Sequence, residues 1–122
     1  MKRHRFAAMV GELLMFITEQ HWYGLIGDAN RSKYEQNRYW KIGRDEQGNK
    51  IGDTKTNCDG YVIISPHQYE DAGGKYAIDI LIHDGDGNID KDELYQQAHE
   101  FWSSIGGNEM IPWDGNHFEG GP

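Results

Sequence analysis

Tyr76-Ala77-Ile78-Asp79-Ile80-Leu81-Ile82 is the apolar run that decides the fold, and a single carboxylate interrupts it. Short runs rich in β-branched residues are typical of buried strands. Tyr61-Val62-Ile63-Ile64 predicts a second strand of the same kind. An ionised carboxylate inside a buried strand costs free energy unless it is paired or binds a metal. Asp79 therefore needs a partner, and His67 and His117 are the best candidates.

The rest of the chain predicts two long helices, over residues 6–20 and 91–105, from apolar residues that recur at helical spacing. Asn30 or Ser32 would cap a further short helix, Asp90 or Asp92 would cap the second long one, and Gly106 would end it. The remaining predictions are a strand over 22–27, a turn over 84–88, an extended segment over 112–119, and exposed loops over 44–57 and 68–74.

This mixture of elements without regular βαβ alternation predicts an α+β fold. We expect a small, mainly antiparallel sheet flanked by helices, with a metal site on its open face. The length of 122 residues predicts one domain, residues 1–122, which we interpret as a single catalytic domain.

The composition argues against several classes of function. The formal net charge of -8 at pH 7 disfavours nucleic-acid binding and stable association with anionic membranes. Cys58 is the only cysteine, so the chain can form no internal disulfide. A basic start followed by apolar residues 6–17 suggests a signal peptide, but Glu12 interrupts that run and no small-residue cleavage site follows. We therefore interpret this segment as an amphipathic helix.

Two histidines and one aspartate match a catalytic zinc site, which has three protein ligands and one open position. The alternative is that His67 only caps a loop and Asp79 hydrogen-bonds to the backbone. Cys58 could be a fourth ligand, although a plain loop thiol is the commoner use of such a residue. Asp114, three residues before His117 in a glycine-containing turn, could serve as a general base beside the metal, or it could be an ordinary Asx-turn residue.

Four short motifs occur in order along the chain: Arg31-Ser32-Lys33-Tyr34-Glu35-Gln36 followed by Gly43-Arg44, then Ser65-x-His67, Ala77-x-Asp79 and Asp114-x-x-His117-Phe118-Glu119. This ordered set resembles the zinc D,D-carboxypeptidases and the phage L-alanyl-D-glutamate endopeptidases. That group has the fold of lysostaphin, the D-Ala-D-Ala metallopeptidases and the hedgehog domain. The chain departs from the family pattern in a longer separation of His67 from Asp79 and in residues 108–113, and both departures lie where the substrate would be recognised.

The resemblance implies a role for each matching residue. Three would hold zinc: His67, Asp79 and His117. Asp114 would be the general base that takes a proton from water and returns it to the leaving amine. Arg31 would lie over the substrate and bind a carbonyl or a carboxylate, with a surface helix residue as the alternative. Gln36 and Ser65 would shape the site, and Glu119 would accept a hydrogen bond from His117 or remain solvated.

The function implied by the resemblance is a zinc-dependent hydrolase of peptidoglycan stem peptides, an L-alanyl-D-glutamate endopeptidase of the phage endolysin kind. We expect a monomer that waits in the host cytoplasm until lysis and then acts on the cell wall. The alternatives are a D-Ala-D-Ala carboxypeptidase or dipeptidase and, from another class, a non-catalytic metal- or calcium-binding module. Residues 68–74 are where we expect specificity to reside.

The segment after the central strand resembles the calcium loop of an EF-hand. Four oxygen-bearing residues fall at the third, fifth, seventh and twelfth positions of that loop: Asp84, Asp86, Asn88 and Glu93. The first position is Ile82, which offers no side-chain oxygen, and a strand rather than a helix precedes the loop. We expect a turn that leads into a helix, with a weak Ca²⁺ site as the alternative.

Overall fold

The computed structural model describes residues 1–88 and 91–122. Its elements in chain order are α1 (Arg3–Glu19), β1 (Tyr23–Ile26), α2 (Lys33–Lys41), β2 (Tyr76–His83), α3 (Asp92–Ser104) and β3 (His117–Gly120). Three helices and a three-stranded antiparallel sheet confirm the predicted α+β class. No helix within the described residues is long and apolar enough to cross a membrane.

Strand β2 is the centre of the sheet, with β1 on one edge and β3 on the other. β1 pairs with the second half of β2, where Leu25 is opposite Leu81, and β3 pairs with the first half, where His117 is opposite Asp79. Successive residues of a strand point to opposite faces. Asp79 and Leu81 therefore share one face of the sheet, and Ile78 lies on the other.

The hydrophobic core lies between the Ile78 face of the sheet and the two long helices. α1 buries four residues at helical spacing: Phe6, Met9, Leu13 and Ile17. α3 contributes Leu94, Ala98 and Trp102, and the Trp102 indole N–H donates to the Glu119 carbonyl at 2.7 Å. Each large apolar side chain buried in this way stabilises the fold by about 1.5–3 kcal/mol. The helices thus hold one face of the sheet and leave the Asp79 face open.

Residues 61–64 do not form the predicted strand. They lie in a loop where Asp59 Oδ1 accepts hydrogen bonds from the backbone N–H groups of Tyr61, Val62 and Ile63 at 2.9–3.0 Å. Because the carboxylate accepts from three successive backbone N–H groups, these groups do not need the hydrogen bonds to a neighbouring strand that a β-strand would make. β-branched composition did not decide the conformation here, and His67 lies in a turn rather than at the end of a core strand.

The ends of the helices follow the predictions in part. Ser32 caps α2, because its Oγ accepts from the backbone N–H three residues on at 3.1 Å. Asn30, the other candidate, instead accepts from the Tyr69 N–H at 3.1 Å. α3 begins at Asp92 and its N-cap residue is Lys91, which makes no capping hydrogen bond with its side chain, so the prediction of Asp92 as the cap is wrong. The other predicted cap, Asp90, lies outside the described residues.

Three other predicted boundaries differ. α1 begins at Arg3, ahead of the predicted residue 6, and within the predicted extended segment 112–119 only the part from His117 on is strand. Residues 68–74 are not an exposed loop throughout, because Gln68 is fully buried.

Candidate metal centre

Three side chains with metal-binding atoms meet on the open face of the sheet: His67, Asp79 and His117. One ligand atom from each lies within 4.8 Å of the others. His67 Nε2 is 3.5 Å and His117 Nδ1 is 3.2 Å from Asp79 Oδ1. Among the described residues, no other three His, Cys, Asp or Glu side chains come together in this way. The group could hold a metal ion.

Two of these side chains lie on strands of the sheet, and the third lies in a turn. Asp79 and His117 are direct cross-strand partners, so the register of β2 and β3 brings them together. The turn that carries His67 is tied down on both sides: the Arg31 N–H donates to the His67 carbonyl at 2.6 Å, and the Ala77 N–H donates to the Pro66 carbonyl at 3.1 Å.

Gln68 braces this turn from inside the protein. Its Oε1 accepts from the Ser65 N–H and its Nε2 donates to the Gly60 carbonyl, both at 2.9 Å. Ser65 Oγ in turn accepts from the His67 N–H at 3.2 Å. Ser65 therefore shapes the site by holding the turn, and Gln68 has a structural role that its place in a polar segment did not reveal.

The outer nitrogen of each histidine has its own acceptor. His67 Nδ1 donates to the Ala29 carbonyl at 3.2 Å, and His117 Nε2 lies 2.7 Å from Glu119 Oε1. Such partners fix the orientation of a ligating imidazole and its tautomer. They leave His67 Nε2 and His117 Nδ1, the nitrogens that face Asp79, available to a metal.

The cluster is charged as well as ordered. Burial alone would raise the pKa of Asp79, but hydrogen bonds from His117 and His67 hold that pKa well below its ordinary value. Burial would lower the pKa of His117, but hydrogen bonds to Asp79 and Glu119 raise it to about 9. The carboxylates thus create a negative potential that a proton on His117 or a metal cation can neutralise.

The chemistry of these donors fits a divalent metal. Two imidazole nitrogens and one carboxylate oxygen match the three protein ligands of catalytic zinc sites. Other first-row metals accept the same donors, so the donors alone do not select the ion. Cys58 lines the same cleft but is not part of the three-residue group.

Asp114 lies beside this group. Its Oδ2 is 3.9 Å from His117 Nδ1, and nearly half of its side chain is exposed. Asp114 lies in a turn over residues 111–117. The Asp114 N–H donates to the Ile111 carbonyl at 3.0 Å, and the His117 N–H donates to the Asp114 carbonyl at 3.1 Å. Burial and the charge of Asp79 raise the pKa of Asp114 against the opposing effect of His117. A carboxylate in this position can exchange protons in the cleft.

Arg31 lies in the wall of this cleft, whose volume is about 310 Å³. Its side chain is only 11% exposed, so it is not a surface helix residue. Nη1 donates to Gln36 Oε1 at 2.7 Å, and Nη2 is 3.7 Å from Asp28 Oδ2. Gln36 is itself fully buried and donates to the Cys58 carbonyl at 2.9 Å. Gln36 therefore positions the guanidinium.

Several residues of the site were not predicted from the sequence. Asp28 and Lys55 also line the cleft, and Lys75 Nζ lies 3.5 Å from Glu119 Oε2. Glu119 was predicted as a possible acceptor for His117; it follows His117 by two residues on β3, so strand alternation places both side chains on one face. Lys55 comes from a loop, and no spacing signal pointed to it.

Residues 84–88 of the segment that resembles a calcium loop form a turn. Asp84 Oδ1 accepts from the N–H groups of Asp86 and Asn88 at 2.9 and 3.0 Å, and Lys91 Nζ lies 2.6 Å from Asp84 Oδ2. The Lys91 ammonium neutralises the carboxylate that a calcium ion would need. Asp84, Asp86 and Glu93 do not form a group of three ligands among the described residues. The geometry therefore adds no support for a calcium site.

Comparison with known protein families and with curated proteins finds no match to this chain.

Proposed function

We propose that this protein is a zinc metallopeptidase that cleaves peptidoglycan stem peptides, with the L-alanyl-D-glutamate bond as the first candidate and phage lysis as the setting. The observation that carries the proposal is the convergence of His67, Asp79 and His117, with Asp114 beside them in an open cleft. Metal-assisted amide hydrolysis needs a ligand set and a proton acceptor in this arrangement. The four ordered sequence motifs support the substrate class.

Each residue of the cleft would have a separate role in hydrolysis. A bound zinc ion would acidify water and polarise a carbonyl. Asp114 would accept a proton at Oδ2 and pass it to the leaving amine. Arg31, held by Gln36 and Asp28, would bind a carbonyl oxygen or a carboxylate of the substrate as a fixed cation.

The experiment combines metal analysis with cell-wall hydrolysis. We expect the purified protein to bind zinc, to clear a suspension of peptidoglycan, and to lose that activity on chelation. Asp114→Asn should keep its zinc and lose hydrolysis about 10²–10⁴-fold. Asp53→Asn, an exposed substitution of the same kind, is the matched control. Full activity of Asp114→Asn, or activity that survives complete metal removal, would overturn the mechanism.

A second cleavage within the same class has an observation in its favour. Arg31 and Lys55 place two cations in the cleft, and cations suit a substrate with a free C-terminal carboxylate. A D-Ala-D-Ala carboxypeptidase or dipeptidase would have such a substrate. Mass spectrometry of digested muropeptides separates the two cleavages. Metal binding without release of any fragment would instead identify a non-catalytic metal-binding module.

A further inference from the structure

A second concave surface adjoins the metal centre, and we call it the Trp113 groove. Its volume is about 390 Å³, and its walls come from β2, the start of α3 and the segment before β3: Leu81, Asp92, Tyr95, Met110, Trp113 and Asp114. Asp114 also lines the metal cleft, so the two cavities share a wall. Whatever occupies the groove therefore lies next to the proposed reaction site.

The groove exposes apolar surface beside the site. The Trp113 side chain is 88% exposed, and Leu81 on the open face of the sheet is also exposed. An indole in water forgoes the free energy that its burial would provide. Its face attracts methylene groups and cations, so a ligand with both would gain from contact with Trp113.

Tyr95 forms another wall of the groove and is held by several contacts. Tyr95 is buried, and its hydroxyl accepts from the Ile82 N–H at 3.0 Å. Gly115 packs against the Tyr95 ring so closely that an added Cβ would lie 3.4 Å from it. His99 Nε2 donates to the Gly115 carbonyl at 2.7 Å. These contacts anchor the segment that carries Trp113 and Asp114 to α3.

The charge of the lining selects the occupant. Asp92 and Asp114 contribute carboxylates to the groove, and none of the described residues that line it is Lys, Arg or His. The metal cleft on the other side of Asp114 contains Arg31 and Lys55. That cleft mixes these two cations with four carboxylates: Asp28, Asp79, Asp114 and Glu119. The groove has carboxylates alone among its charged lining residues, so it suits a side chain with an apolar stem and a cationic end.

We propose that the Trp113 groove is a specificity subsite for a lysine-like, diamino-acid side chain of the peptide substrate. Its methylene stem would lie on Trp113, and its ammonium would face Asp92, which leaves Asp114 free to act as the base. The inference rests on the proposed peptidase function and adds to it a residue that the enzyme selects, the one that follows the D-glutamate of the cleaved bond.

The first test compares two tripeptides, L-alanyl-γ-D-glutamyl-L-lysine and the same peptide with norleucine in place of lysine. We expect the zinc-loaded protein to prefer the lysine peptide about tenfold in kcat/KM, mainly through KM. Asp92→Asn and Trp113→Ala should each remove most of this preference and leave the zinc content unchanged. Glu46→Gln and Tyr34→Ala, exposed substitutions outside the groove, are the matched controls.

The second test measures binding without catalysis. Nα-acetyl-lysine amide and Nα-acetyl-norleucine amide contain no γ-glutamyl bond and serve as fragments in an NMR titration of the zinc-loaded protein. The Trp113 indole N–H resonance is assigned by its loss in Trp113→Phe. We expect this resonance to shift with the lysine fragment and to shift less with the norleucine fragment.

The two tests separate the inference from the proposed function. Hydrolysis of both tripeptides at equal kcat/KM overturns the subsite and leaves the peptidase intact. If no peptide or cell wall is cleaved, the proposed function fails, and the fragments decide whether the groove binds a cationic side chain. Equal shifts with the two fragments, or no shift with either, overturn the inference.

Discussion

Asp79 and Asp84 lie five positions apart on and just after the same strand, and the protein uses them in opposite ways. Asp79 meets two histidines brought from a distant turn and a distant strand. Asp84 finds its partners within seven residues of itself, in two backbone amides and the Lys91 ammonium. The first carboxylate belongs to a group that could hold a metal, and the second closes a turn.

The difference shows why a contiguous motif can mislead. A carboxylate followed by several residues in a turn reaches its own backbone amides first, and these satisfy its oxygens at little entropic cost. Donors held by separate elements cannot relax in this way, because the sheet and the turn fix their positions. The scattered donors therefore form a group that could hold a metal, whereas the described residues of the segment that resembles a calcium loop form no such group.

The largest expected effect is the loss of bound metal when Asp79, rather than Asp84, is replaced by alanine. We expect Asp79→Ala to lose bound metal almost completely, because one of three ligands is removed. Asp84→Ala should retain the metal and lose only local stability of its turn. Metal content after gel filtration, measured by plasma mass spectrometry, checks both. Loss of metal in Asp84→Ala with retention in Asp79→Ala would reverse our assignment.

The next test removes the support behind one ligand rather than the ligand itself. Glu119→Ala should lower the affinity for zinc about 10–100-fold, because His117 Nε2 loses its acceptor. Glu119→Gln keeps an oxygen at that position, so we expect a smaller loss. Competition with a chromophoric chelator measures both affinities, and Glu109→Ala, an exposed substitution, is the control. Wild-type affinity in Glu119→Ala would mean that this contact does not order the site.

The third test compares the contributions to stability of Gln68, which is buried beneath the His67 turn, and of Asp59, which lies in an exposed loop. Gln68→Ala leaves the buried Ser65 N–H and the Gly60 carbonyl without partners, so the free energy of unfolding should fall by about 1–3 kcal/mol. Asp59→Ala exposes its three amides to water in an open loop and should cost less. Denaturant unfolding of the two metal-free variants gives the order, and a larger loss for Asp59→Ala would contradict it.

The smallest expected effect is a pH dependence of stability from His99, which hydrogen-bonds to Gly115 in the segment before His117. Burial lowers the pKa of His99, against the opposing hydrogen bond to Gly115, and His99 Nδ1 is buried without a hydrogen-bond partner among the described residues. A lowered pKa means that the unfolded state binds the proton more readily. The stability that neutral His99 contributes is complete above pH 6.5, its ordinary pKa, and is lost as the pH falls below that value.

His99→Gln removes this titration and keeps a donor for Gly115. We expect the stability difference between wild type and His99→Gln to shift against wild type as the pH falls from 8 to 5 by about 1 kcal/mol or less. Chemical denaturation across this range measures it. If the stability difference between wild type and His99→Gln does not change with pH, the pKa of His99 is the same in the folded and unfolded states.

Periodicity and composition predicted the elements with strong local signals. The central strand was predicted over 76–83 and occupies Tyr76–His83, and α1 and α3 fall close to their predicted ranges. Ser32 was one of two predicted caps and is the cap of α2. Local signals failed where a side chain overrode propensity, as Asp59 does over residues 61–64. They failed again at Gln68, a polar residue buried as a brace.

The sequence by itself determined which residues carry metal-binding chemistry and where the buried strand β2 lies in the chain, because these depend on residue type and short-range spacing. Only the tertiary structure decided which carboxylate gains histidine neighbours, since the register of β2 and β3 sets the pairing of Asp79 with His117. It also decided that Asp114 stands between two cavities and that Lys91 closes the turn at Asp84. Contacts between residues far apart in the chain depend on how whole elements pack, and no local pattern encodes them.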